Sequence, residues 1–395
     1  MDAKYQAEPK DSSRLHVCVV TETYPPEING VAMTLQRLVM GLTEAGHTVS
    51  LVRPRQAAHD RPGCRRSPQQ MLVPGLPIPG YRGLHFGLPV GRRLQRQWES
   101  SRPDIIYVAT EGPLGISAVR QANKLQIPVI SGFHTNFHSY TRHYHLGFLK
   151  KIILSHLRKF HNRTNATLVP SEDLQLDLQQ AGFDNVEILA RGVDCRLFSP
   201  EKRDEAIRRD WGVATDVPVV LYVGRLATEK NMDLFIRTYR AMQQQRNDLR
   251  CVMVGDGPLY RRLQTDNPDI IFCGMHTGES LAAHYASADI FLFPSETETF
   301  GNVTMEAMAS GLVVVAYDYA AAQRHINDRQ NGLVVPLKQE DLFIQSATSL
   351  INGDIEMTQI RSNARNYALS IDWSQIIDRF ELLLDENCNI SHSVS

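Results

Sequence analysis

The sequence predicts an α/β protein built as two doubly wound Rossmann-like domains facing across a cleft. Three observations predict it. Short β-branched apolar runs alternate with helical patterns, which argues for parallel strands joined by crossover helices. After a turn-rich stretch, ARGVDCRLFSPEK, the same alternation starts again. The chain, 395 residues and 43% apolar, is long enough for two or three domains with large cores.

In the first half, HVCVV (16–20) reads as a strand, 31–45 as a helix and HTVSLV (47–52) as a second strand. Residues 53–96, with Pro, Gly and many Arg, read as a long loop region, functional or a solvated excursion. DIIYVA (104–109), a helix over 113–125 and IPVIS (127–131) continue the pattern. In LGFLKKIILSHLRKF, Leu149, Ile153, Leu157 and Phe160 recur at helical spacing, flanked by Lys150, Lys151, Arg158 and Lys159. That stripe suits a helix at an anionic membrane surface or one facing a core with a solvated basic back. In the second half come VPVVLYVG (217–224), a helix over 231–245, RCVMVG (250–255), DIIF (269–272), DIFLFP (289–294) and LVVVAY (312–317). The expected division is a disordered N-terminal tail at 1–14, domains at 15–195 and 196–372, and a closing helix with a tail at 373–395.

Apolar runs such as Leu312 to Tyr317 fall far short of the roughly 20 residues that cross a bilayer, and residues 1–13 are polar and charged. No membrane span and no secretory signal are expected. Six scattered cysteines (18, 64, 195, 251, 273, 388) without a CxxC pair fit a reducing cytoplasm rather than a disulfide framework or a zinc site. The net charge of −1 hides an asymmetry, with 24 Lys+Arg against 16 Asp+Glu up to residue 197 and 18 against 27 after it. From Gly112 to Ser171 there is no acid at all, while Arg142, Lys150, Lys151, Arg158, Lys159 and Arg163 crowd one stretch. A basic face toward an anionic partner follows.

In doubly wound sheets ligands sit beyond the carboxyl ends of strands, so loops there carry the candidate chemistry. A dinucleotide enzyme should show GxGxxG, but Gly255-Asp256-Gly257-Pro258-Leu259-Tyr260 puts Tyr where the third Gly belongs. No P-loop is present, and no Asp-x-Asp offers a simple carboxylate pair for a metal-bound diphosphate. Protein cations must then neutralise phosphates. In GRLATEK, Arg225 can present a bidentate fork and Lys230 a point charge over one crevice, at a helix start where the dipole disfavours mere solvated cations. Gly30 ends YPPEING and lets backbone approach a ligand at a helix N-terminus, or is an ordinary turn. In SETETFGNVTMEAMASG, Glu298 lies in a loop and Glu306 on the following helix, with Phe300, Gly301 and Asn302 presenting free N–H groups between them. One carboxylate can take vicinal sugar hydroxyls and the other a ribose. His134, just past IPVIS, lies where ligands gather.

Together ETFGNVTMEAMASG, GRLATEK, VGDGP, YASADIFLFPSETE and RGVD resemble the retaining glycosyltransferases of family 4, of GT-B fold, over about residues 15–388. The resemblance implies that Glu298 positions donor-sugar hydroxyls, Glu306 binds the ribose, Arg225 and Lys230 neutralise the leaving diphosphate, Gly30 lies against it and His134 reaches the sugar. It implies an acceptor-binding first domain, a nucleotide-sugar-binding second one, and a helix from about Trp373 to Glu386 that crosses back and straps the hinge. One departure is Gly311-Leu312-Val313-Val314 in place of Gly-x-Pro-Val. No cofactor or metal is expected. The partners implied are a nucleotide-sugar donor, GDP-mannose first with UDP-hexose or UDP-hexuronate as alternatives, a lipid or glycan acceptor, and an anionic membrane surface contacted from the cytoplasm, but no nucleic acid. Two other classes stay open: a GT-B-like sugar-nucleotide 2-epimerase and a non-catalytic sugar-nucleotide-binding protein.

Overall fold

The computed structural model describes residues 14–25, 27, 30–56, 60, 69–77, 85–134, 147–297, 301–353 and 355–392. The chain divides into two compact units, residues 1–191 with 376–395, and residues 192–375.

In the first unit a seven-stranded sheet runs in the order β3-β2-β1-β6-β7-β8-β9 among the described residues. Its strands are β1 (His16–Val20), β2 (Thr48–Pro54), β3 (Gln69–Val73), β6 (Ile105–Val108), β7 (Val129–Gly132), β8 (Ala166–Val169) and β9 (Val186–Ile188), all paired in parallel. Their interiors are apolar on both faces because helices cover both sides, so they read as continuous rather than alternating hydrophobic runs. The helices are α1 (Gly30–Glu44), α2 (Gly91–Ser100), α3 (Pro113–Lys124), α4 (Gly147–His161) and α5 (Glu172–Gln180). On α1 the buried residues Ala32, Leu35, Leu38, Val39 and Leu42 fall at helical spacing and close on the sheet. Pro113 opens α3 at a position where its missing N–H costs nothing.

Residues 53–96 depart from the expected loop region. Their described part holds the edge strand β3, a small antiparallel hairpin of β4 (Gly75–Pro77) and β5 (His85–Gly87), and the start of α2. β3 carries two glutamines and only its last two residues are buried, so an edge position hid its strand period.

The stripe on α4 is settled toward the core for the residues described. Leu157 and Phe160 are buried and Ile153 packs beside Phe133, Leu174 and Phe183. Ile152 and Lys159 face outward. Leu149, Lys150 and Lys151 lie outside the described side chains, and Arg142 lies outside the described residues.

Among the described residues the second unit holds a six-stranded parallel sheet in the order β12-β11-β10-β13-β14-β15, a 3-2-1-4-5-6 arrangement. The strands are β10 (Val219–Val223), β11 (Arg250–Val254), β12 (Ile271–Gly274), β13 (Ile290–Phe293), β14 (Val313–Tyr317) and β15 (Leu333–Val335). Helices α6 (Glu205–Asp210), α7 (Met232–Gln245), α8 (Tyr260–Asp266), α9 (Gly278–Ala286), α10 (Asn302–Ala309), α11 (Ala320–His325), α12 (Glu340–Ser349) and α13 (Met357–Ser370) surround it. The strand order reverses between β10 and β13, which makes the loops after those two strands the natural ligand-binding edge. A last helix, α14 (Trp373–His392), belongs to the first unit from Ile376 onward. There Ile376, Ile377, Phe380, Leu383 and Leu384 are buried, Glu381 bonds His47 at 2.8 Å and Arg379 faces Glu187. Among the described residues no helix is long and apolar enough to cross a membrane.

Candidate functional site

In the second unit the loop after β10 is built by close backbone approach. Gly255 lies at φ +141, and a Cβ there would stand 1.9 Å from the Gly224 carbonyl oxygen. The Leu226 N–H donates to Asp256 O at 2.9 Å and the Leu259 N–H to Leu226 O at 3.0 Å, zipping the β10 and β11 loops together. The glycines of VGDGP thus serve loop contact, not a dinucleotide fingerprint. Their effect is to fix the backbone that carries Arg225 and Lys230.

Arg225 is exposed, its carbonyl accepts the Tyr222 hydroxyl at 3.0 Å, and its guanidinium lies 3.4 Å from the Glu229 carboxylate. Lys230 closes a single 3₁₀ turn, Thr228–Lys230, rather than opening a helix; Asn231, at φ 54, then turns the chain into α7. Its ammonium donates to Thr297 O at 2.8 Å and lies 5.4 Å from the Phe293 ring centroid. The Thr297 hydroxyl in turn donates to Glu229 O at 3.1 Å. The loops after β10 and β13 are therefore tied across the point where strand order reverses, and both cations stand there.

Glu298 and Phe300 lie outside the described residues; their neighbours Thr297 and Gly301 bracket the place. Gly301 caps α10 at φ 67, ψ 28, and a Cβ on it would lie 1.9 Å from Ala321 Cβ, so only glycine fits. No side chain caps α10; in its first turn the Thr304 and Met305 N–H groups donate to Gly301 O at 3.0 and 3.3 Å, and Asn302, which opens the helix, is exposed. Glu306 is no solvated helix residue. Its carboxylate is buried and accepts the Tyr285 hydroxyl at 3.0 Å, and burial raises its pKa to about 7 against the downward pull of that bond.

In the first unit His134 follows β7 and its Nε2 lies 3.1 Å from the Tyr107 hydroxyl of β6. Gly132 makes this meeting possible, since a Cβ there would stand 2.5 Å from Tyr107 Oη and 2.7 Å from His134 Nε2. Burial chiefly, then the nearby Arg191 charge and His161, push His134 down to about 3, so the ring is neutral at pH 7. Nδ1 of His134 has no hydrogen-bond partner among the described residues. Burial likewise holds the Tyr107 phenol protonated. Gly30 is the first residue of α1 and accepts the Thr34 hydroxyl at 2.8 Å on its carbonyl. Beside that segment Glu22, after β1, accepts the Leu114 N–H at the start of α3 at 2.9 Å, and burial lifts its carboxyl to about 7.

Sequence reasoning missed Tyr107, Arg191, Glu22 and Tyr285. Tyr107 sits in an apolar run that reads only as strand. Glu22, in TETYPPEING, was visible as an acid just past a strand end, and that position was the available signal.

Comparison with known proteins agrees with this layout. Residues 217–353 match the family model for glycosyl transferases group 1 and residues 28–197 the model for glycosyltransferase family 4. The chain is 31% identical over 366 residues, 92% of its length and 95% of the relative's, to a GDP-mannose-dependent alpha-mannosyltransferase of Mycolicibacterium smegmatis. It is 27% identical over 336 residues, 80% of its length and 74% of the relative's, to an alpha-monoglucosyldiacylglycerol synthase of Streptococcus pneumoniae. Among solved structures it resembles Anabaena HepE in complex with UDP, at TM-score 0.72 and 18% identity, covering 94% of this chain and 100% of that one. The two reversing sheets, the paired cations, the glycine-capped helix with its buried glutamate and these relatives lead to one conclusion: the chain belongs to glycosyltransferase family 4 and is a glycosyltransferase of GT-B fold.

Proposed function

We propose that this glycosyltransferase moves a hexose, mannose from GDP-mannose in the first instance, to a hydroxyl of a lipid or glycan acceptor, with retention of anomeric configuration and without a metal ion. The observation that carries the reading is the meeting of Arg225, Lys230 and the α10 N-terminus at the edge of the second sheet where its strand order reverses. A leaving nucleoside diphosphate placed there meets two cations and a positive helix end. Glu306, buried one turn into α10, is suited to accept ribose hydroxyls, and the family resemblance assigns the hexose hydroxyls to Glu298. On transfer the bond from the anomeric carbon to the β-phosphate oxygen breaks, the acceptor oxygen bonds that carbon, and the acceptor's hydroxyl proton passes to the departing phosphate. His134, neutral and held through Nε2, is the residue that the family resemblance assigns to the donor sugar.

The named activities of the two curated relatives support mannose as donor sugar and a glycerolipid as acceptor. Contact with an anionic membrane surface rests on the basic residues of α4 alone, since its described apolar stripe is spent on the core.

A thermal-shift panel tests the donor: GDP-mannose, UDP-glucose, UDP-glucuronate, GDP and UDP, each with and without EDTA. Saturation at a hundred times Kd should add about 2.7 kcal/mol of stability. Selective stabilisation by the guanosine series, unchanged by EDTA, is the expected result. A shift only with UDP-sugars overturns the mannose donor, and loss of every shift in EDTA overturns metal independence. The product anomer, read by NMR coupling constants, decides retention.

A further inference from the structure

Beside the segment that carries His134, the first unit holds a buried polar cluster with no part in the site described above. Ser131 on β7, His161 at the end of α4, Thr164 and Thr167 of β8 all lie inside the core. Ser131 Oγ stands 2.8 Å from His161 Nδ1, 2.9 Å from Thr164 Oγ1 and 3.4 Å from Thr167 Oγ1. The Thr164 hydroxyl donates to His161 O at 2.7 Å, so the cluster closes on itself. Burial keeps the His161 imidazole neutral at pH 7. Its ring is set among Phe160, Phe133 and Phe183, with centroids 4.9, 5.2 and 5.8 Å away.

His161 Nε2 is buried without a partner among the described residues. Apolar side chains of similar shape would fill this space with no orphaned nitrogen, and such replacements are often neutral or stabilising. Stability alone therefore does not account for a histidine here. What a bonded cluster adds in a core is one fixed arrangement of the elements that it joins. The element fixed here is the end of β7. Ser131 and Phe133 both meet His161, whereas a Cβ on Gly132, between them, would point at Tyr107 Oη and His134 Nε2. That alternation is the one a strand imposes. Gly132 must stay bare for Tyr107 and His134 to meet, so it has no side chain with which to hold the chain. The ladder bond from the Phe133 N–H to Leu168 O, at 2.8 Å, falls one residue short of His134. His161 thus grips the residues on both sides of the glycine, from the face opposite the Tyr107–His134 pair.

We propose that His161 is a positioning residue for the transfer: it holds Ser131 by a hydrogen bond and Phe133 by ring contact, and so fixes where His134 stands. The proposal rests on the glycosyltransferase reading, which gives His134 its place at the donor sugar. His161 touches no substrate in this role and acts through the β7 end alone.

Ser131→Ala and His161→Phe break the same bond by different means, the second with the ring contacts kept. Nucleotide release from GDP-mannose or UDP-glucose, with vesicles of phosphatidylglycerol and diacylglycerol as acceptor, gives kcat and KM for the full chain. Each variant should lower kcat roughly tenfold, the scale of a misplaced group, and leave the donor KM and the nucleotide thermal shift unchanged. Combined with each other or with Tyr107→Phe they should add little, since all act through one imidazole. Hydrogen exchange at residues 132–134 should quicken by up to roughly tenfold, as the loss of one hydrogen bond permits. Wild-type kcat in both variants, or losses that multiply in full with Tyr107→Phe, overturn the assignment. Loss of the fold in both variants overturns it too, because the cluster is then structural. A wild type that releases neither nucleotide sinks the transferase reading instead, and exchange at 132–134 then decides the clamp: faster exchange in the variants upholds it and unchanged rates overturn it.

Discussion

The Tyr107 hydroxyl and His134 Nε2 meet at 3.1 Å, over a glycine whose Cβ would block them both. This bond occupies Nε2 and leaves the buried Nδ1 as the ring nitrogen without a partner among the described residues. Tyr107→Phe keeps the ring and its edge contact with Phe380 but leaves Nε2 without a partner. Turnover should fall by roughly 10- to 100-fold, the scale of a misplaced catalytic group, with stability lower by about 1–3 kcal/mol for the orphaned nitrogen. Steady-state kinetics and urea unfolding on the same preparation check both, and unchanged turnover removes Tyr107 from the mechanism.

Arg225→Ala should lower turnover by roughly 100-fold or more, as the loss of one preorganised charge does. Its ion pair with Glu229 is exposed, so unfolding midpoints should barely move. Lys230→Ala should match that kinetic loss and in addition loosen the β13 loop, because the ammonium is bonded to Thr297 O. Hydrogen exchange at residues 295–297 distinguishes the two variants.

Gly255→Ala sets a Cβ 1.9 Å from a backbone oxygen at a positive φ, with no flexible neighbour to yield. The expected cost is more than about 3 kcal/mol, beyond the 1–3 kcal/mol of the strained dihedral alone. Urea denaturation followed by circular dichroism measures it, and a loss under 1 kcal/mol contradicts the loop-on-loop account.

Acid and base work on different buried groups. His134 and His161 have pKa values near 3 in the folded chain against 6.5 for the free side chain, so the unfolded chain binds more protons below pH 6.5. Their share of stability is complete above 6.5 and is lost as pH falls toward 3. Glu306, raised from 4.5 to about 7, works oppositely, and stability declines as pH climbs from 4.5 to 7. Glu306→Gln should therefore gain stability relative to the wild type between pH 5 and pH 8 while losing affinity for the nucleoside diphosphate. Denaturant midpoints at the two pH values, with nucleotide titration, test it; a pH-independent difference refutes the buried carboxylate.

Much of this was legible beforehand, for reasons that particular residues make plain. VVLYV, RCVMV and IFLF are continuous apolar runs because both faces of a parallel sheet are covered, so their strand character needs no tertiary knowledge. QQMLV at the sheet edge keeps polar residues, and its strand character comes only from pairing with β2. Spacing identified Glu306 but could not show that it is buried, because its partner Tyr285 stands on another helix 21 positions earlier. Tyr107 on β6 and His134 just past the end of the neighbouring β7 are 27 positions apart, and no local pattern joins them.

Phe380 lies edge-on to Tyr107 at 5.2 Å, and with it the last helix completes the core behind His134. Removing that aromatic, Phe380→Ala, should cost about 3–5 kcal/mol. The arrangement also sets an order of events during synthesis. A chain emerging from the ribosome with residues 1–191 outside has every strand of its first sheet and still lacks the wall that Ile376 to Leu384 supply. The second unit is contiguous in sequence, from 192 to 375, and has all its strands while the first still waits. Maturation is then inverted with respect to chain order, the unit begun first being completed after the second, and the imidazole beside Tyr107 gains its final surroundings only once residues 376–384 have been made.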